Sequence, residues 1–71
     1  MILQLNPLLE ALDTARRAAA DVIHPNDEVT VDDQNDQWIF EFIPQGDSLG
    51  GGVRVYIAKS NLQVLKVVLG Q

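Results

Sequence analysis

The sequence has no cysteine, three prolines, one histidine and one tryptophan. Without cysteine there is neither a disulfide nor a thiolate zinc site, so support has to come from packing or self-association. Basic residues are scarce. Five stand against ten acidic ones, for a net charge of −5, which speaks against a protein that tracks a nucleic-acid backbone. No stretch reaches the ~20 apolar residues that span a bilayer. Residues 1–7 lack the basic start and long apolar run of a secretory signal, so the cytoplasm is the expected location. What is present is 71 residues, 46% hydrophobic, enough for one domain spanning 1–71 and too apolar for a disordered chain.

The charge is unevenly spread. Residues 1–26 carry −1, residues 27–47 carry seven acids and no base, and residues 48–71 carry +3 from Arg54, Lys59 and Lys66. An electrostatic partner of the middle block would be basic.

Residues 7–23 have the spacing of an amphipathic helix. Leu5, Leu8, Leu12, Ala15, Ala19 and Val22 recur every three or four residues and fall on one stripe. Asn6 is a suitable N-cap, and Pro7 fits the first helical position, where its missing N–H costs nothing. Asp13, Arg17 and Asp21 form i,i+4 pairs outside the stripe. Pro25 ends the segment by forcing His24 out of the helical region. The stripe narrows to alanine at its middle, as suits a helix lying close over something flat.

Strands are expected over about 28–32, 37–43, 53–58 and 62–69. The second alternates strictly, with Trp38, Phe40 and Phe42 on one face and Ile39, Glu41 and Ile43 on the other. The third does the same, with Val53, Val55 and Ile57 opposed to Arg54, Tyr56 and Ala58. Ser60-Asn61 fits a hairpin turn, and the last strand is apolar on both faces apart from Gln63 and Lys66. One N-terminal helix followed by a three- or four-stranded antiparallel meander makes an α+β two-layer, cystatin-like arrangement. The aromatic face would meet the helix. The other face would be left as a contact surface, for a twin subunit or another protein.

Signals of chemistry are few. His24 could serve as a base only with an ordered nucleophile and a carboxylate beside it, and the two serines, Ser48 and Ser60, lie far along the chain. A histidine at a helix C-terminus is accounted for by the helix dipole. Gly50-Gly51-Gly52 is followed by Val53-Arg54 and a strand, where a phosphate-binding loop needs Lys-Ser/Thr and a helix. A loop, or a strand start approached by another backbone, fits the triplet better. Asp27, Glu28, Asp32, Asp33 and Asp36 form the densest acidic cluster. It misses the glycine and final glutamate of a calcium loop from either starting aspartate. The cluster is either a solvated turn or a docking patch for a basic partner. Trp38 suits a core position or an interface anchor, and outward Arg54 and Tyr56, beside Glu41, suit a binding surface. None of this points to an enzyme, a cofactor or a metal.

The segments Asp36-Gln37-Trp38-Ile39-Phe40-Glu41-Phe42, Gly50-Gly51-Gly52-Val53-Arg54-Val55-Tyr56-Ile57 and Val64-Leu65-Lys66-Val67, closing on Gly70-Gln71, follow a helix and an acidic turn. In that order they resemble bacterial immunity proteins of the nuclear-transport-factor-two-like fold, and are also similar to PepSY and cystatin-like modules. Ser60-Asn61-Leu62-Gln63 stands where those families tend to carry Thr-Gly. The resemblance implies a small cytoplasmic, non-catalytic protein that binds and neutralises a cognate toxin, with no cofactor. The expected partner-facing residues are Asp27, Glu28, Asp32, Asp33, Asp36, Glu41, Arg54 and Tyr56. The other use open to such a chain is as an interaction module that homodimerises through its sheet face or edge.

Overall fold

A computed structural model describes residues 7–45 and 52–70. It contains α1 (Pro7–Ala18), β1 (Glu28–Asp33), β2 (Gln37–Ile43), β3 (Val53–Ala58) and β4 (Val64–Leu69). The strands form one antiparallel sheet in the order β1-β2-β3-β4, a meander with the helix packed on one side. The α+β two-layer arrangement is therefore present, with four strands rather than three.

The core is the seam between the two layers. Ala11, Ala15 and Ala19 face Trp38, Phe40 and Phe42 of β2 and Val53, Val55 and Ile57 of β3, and all nine are buried. Alanine at the middle of the helix brings its backbone close to the sheet, so the aromatic rings fill the space that larger helix residues would take. Leu8, Leu12, Ile23, Val29 and Leu62 close the periphery. Arg16 reaches over the Phe42 ring at 5.8 Å, its charged head outside the seam.

The helix stops earlier than its periodicity suggests. After Ala18 the hydrogen bonds change register: Ala20 N–H donates to Arg17 O and Val22 N–H to Ala19 O, both i→i−3. Tightening from 3.6 toward 3 residues per turn rotates Val22 off the stripe. Val22 is thus exposed, and Ile23, whose N–H donates to Ala19 O at 3.1 Å, packs on the core in its stead. Leu5, Asn6, Ser48, Gly50 and Gly51 lie outside the described residues.

The β3–β4 connection is longer than a two-residue turn. Leu62 N–H donates to Ala58 O and Ala58 N–H to Gln63 O, each at 2.9 Å, which makes Lys59–Leu62 the loop. Leu62 sits at φ 59°, in the left-handed region that costs a branched residue about 1 kcal/mol or more. Its side chain packs on the core cluster, and that burial offsets the strain. Asn61 Oδ1 accepts the Gln63 N–H at 3.1 Å and sets the turn from within. The pairing then slips once: Tyr56 faces Lys66 but Ile57 faces Val64, leaving Leu65 as a bulged extra residue.

Lys59 ties the turn region to the β1–β2 end of the sheet. Its backbone N–H donates to Asp36 O at 3.0 Å, its ammonium meets the Asp33 carboxylate, and the same ammonium lies 5.3 Å from the centre of the Trp38 ring. The Asp33 side chain is largely exposed, so solvent screening keeps the ion pair weak, while the ring contact is partly desolvated. Lys59→Ala is expected to lower stability by about 1 kcal/mol in a urea titration. No loss would mean that neither contact persists in solution.

Candidate interaction face

The sheet surface away from the helix is built by the alternate residues of each strand. Opposed pairs share a face, so the registers Thr30–Glu41, Asp32–Ile39, Glu41–Arg54, Ile39–Tyr56 and Tyr56–Lys66 place these side chains together. Thr30, Val31, Asp32, Ile39, Glu41, Arg54 and Tyr56 line a shallow, solvent-open depression of about 280 Å³. The face is graded across its width. Glu28 and Asp32 stand on β1, Glu41 on β2, Arg54 on β3 and Lys66 on β4.

Some of that charge is used internally. Arg54 Nε lies 3.6 Å from Glu41 Oε2, and Lys66 Nζ sits 4.5 Å from the centre of the Tyr56 ring. Glu28 and Asp32 have no ion-pair partner among the described residues. Asp32 Oδ2 accepts one hydrogen bond, from Gln34 Nε2 at 3.1 Å, leaving its other oxygen for a partner. Two half-buried apolar groups, Ile39 and Tyr56, lie between the acidic and basic borders.

The eight residues singled out from the sequence therefore do not make one surface. Glu28, Asp32, Glu41, Arg54 and Tyr56 share the open face. Asp33 is placed opposite Trp38, on the helix side, and is engaged by Lys59. Asp36 lies in the β1–β2 turn, exposed. Asp27 turns inward: its side chain is only 6% exposed, and Oδ2 accepts the His24 N–H at 2.9 Å while its own N–H donates to His24 O at 3.0 Å. That reciprocal pair closes the turn after Pro25. Asp27 thereby shapes the approach to β1 rather than presenting charge.

His24 is exposed, with Nδ1 3.9 Å from Asp27 Oδ1. Among the described residues, no group of three or more His, Asp or Glu side chains is placed to hold a metal ion. No described helix is long and apolar enough to cross a membrane. Lys66, missing from the residues selected by sequence, joins the face through the Tyr56 ring. Its place in the alternation of β4 was hidden by the bulge at Leu65.

Comparison of the chain with models of protein families, with curated proteins and with solved structures found no match.

Proposed function

We propose that the protein is a non-catalytic binding module, an inhibitor of immunity type, whose open sheet face docks on a basic protein such as a toxin. The supporting observation is that Glu28 and Asp32, neither in an ion pair among the described residues, share one open face with half-buried Ile39 and Tyr56. Carboxylates at the border would steer and orient a cationic partner, while the isoleucine and the tyrosine supply apolar area at the centre. Arg54 holds Glu41 in place and limits the charge at the middle, where complete desolvation of a lone carboxylate would be costly. No proton transfer or nucleophile is required for such a protein to act. It blocks its target by occupying a surface, and the cytoplasm is where a toxin of the producing cell would have to be met.

The test is to capture a cationic protein that co-purifies with this chain and to titrate the two by calorimetry at two salt concentrations. Asp32→Lys is expected to weaken association by about tenfold and to flatten its salt dependence. Asp21→Lys makes the same change in net charge in the exposed turn beyond the helix and should leave affinity unchanged. Equal effects of the two variants would reject the face as the docking site.

A further inference from the structure

The charges of the open face stand in a definite order. Paired positions run straight across the sheet, so the registers define rows of side chains on that face. From β1 to β4 one row reads Asp32, Ile39, Tyr56, Lys66, and its neighbour reads Thr30, Glu41, Arg54, Val68. In both rows the acid lies on the β1–β2 half and the base on the β3–β4 half. Asp32 and Lys66, at the two ends of one row, have no ion-pair partner among the described residues. Three strand spacings, about 14 Å, keep them apart within one chain.

We propose that this face is self-complementary and packs on the same face of a second copy, about a two-fold axis that runs along the strands midway between β2 and β3. Such an axis leaves position along the strands unchanged and reverses their order, so each row meets itself end for end. Asp32 then faces the partner's Lys66, Glu41 faces the partner's Arg54, and Ile39 faces the partner's Tyr56. Every charge of the two rows meets its opposite. The central Glu41–Arg54 pair, 3.6 Å apart, becomes half of a square of alternating sign, so neither ion is desolvated without a partner. An axis across the strands would instead lay β1 on the partner's β1 and β4 on the partner's β4, acid over acid and base over base. Packed sheets turn by about 30° relative to each other, which moves the outer strands about 4 Å out of line, a gap the long lysine side chain spans. A four-stranded face of about 20 by 20 Å gives roughly 800 Å² for the two copies, the size of a transient contact rather than a permanent dimer. A docked target would have to displace the second copy. Self-association needs no target, so it is measured on the chain alone, and its failure leaves the docking reading untouched.

Sedimentation equilibrium is expected to give 7.8 kDa in dilute samples and to approach twice that mass at about 1 mM, with no larger species. Asp32→Lys and Lys66→Asp should each stay at 7.8 kDa at that concentration, because each sets like charges against one another at both ends of the row. Mixed in equal amounts, the two variants should dimerise, one bringing two lysines and the other two aspartates. Should either variant fail to fold, the unaltered chain decides: a soluble paramagnetic agent must broaden the Ile39 and Tyr56 signals in dilute samples and progressively less as concentration rises. A chain still monomeric at about 1 mM, a single variant that dimerises, a mixture of folded variants that does not, a ladder of larger species, or broadening independent of concentration would each overturn the proposal.

Discussion

Truncating Phe40 to alanine is expected to remove about 3–5 kcal/mol of stability and leave a large share of molecules unfolded at room temperature. The ring is 2% exposed and stands at the middle of β2, between Val31 of β1 and Val55 of β3. The buried residues of the helix above it are alanines, whose short methyl groups cannot move in to fill the space. A chain of this size commands a total of about 4–10 kcal/mol, so the loss takes up a major part of it. Urea unfolding followed by Trp38 fluorescence would measure it. A loss under about 1 kcal/mol would show that the seam is loosely packed and the ring dispensable.

Replacing Gly52 with alanine is expected to destabilise by about 2–3 kcal/mol, the reverse of what the substitution does in an open loop. An added Cβ would fall onto the backbone carbonyl oxygen of Phe42, with the Phe42 carbonyl carbon at 3.2 Å and Ile43 Cα at 3.5 Å. These are backbone atoms of a central strand and cannot turn aside as a side chain could. Gly52 O also accepts the Gly70 N–H at 2.6 Å, so a shift of this residue pulls on the end of β4 as well. Thermal unfolding of Gly52→Ala gives the sign directly. In a flexible loop the change would stabilise by about 0.4–1 kcal/mol through the unfolded state, and that outcome would contradict the close approach.

The layers of the fold were legible because two periodicities agree. The 3–4 spacing that brings Leu8, Leu12, Ala15 and Ala19 to one stripe and the strict alternation of residues 37–43 and 53–58 each name one buried face, and the two faces meet. Gly52 was open to the right reading too, since a glycine at a strand start suits a close backbone neighbour. The misses share a physical cause. Val22 and Ile23 exchange roles because the chain tightens after Ala18, a change of turn geometry that periodicity cannot register. Leu62 adopts a positive φ that its residue type disfavours because its burial outweighs the strain, a tertiary effect overriding local preference.

The candidate site was legible in kind and blurred in detail. Seven acids in residues 27–47 mark an anionic segment, but adjacent residues of a strand point to opposite sides. Asp32 and Asp33 are neighbours in sequence and separated by the sheet, one open on the far face and one held by Lys59. Asp27 looks like its neighbours in composition and is withdrawn by hydrogen bonds with His24 that only the turn reveals. The apolar character of β4 was visible from the start. α1 packs on β3, β4 and β2, yet all six residues of β4 remain exposed at the edge of the sheet.

The helix covers the centre of one sheet face with alanine, while the other face of the monomer stays open to solvent. Broadening of side-chain NMR signals by a soluble paramagnetic agent tests that division. Signals of Val55, Ile57 and the Trp38 indole should stay sharp, while those of Ile39 and the Tyr56 ring lose intensity. Equal attenuation on both sides, or sharp Ile39 beside a broadened Ile57, would contradict it.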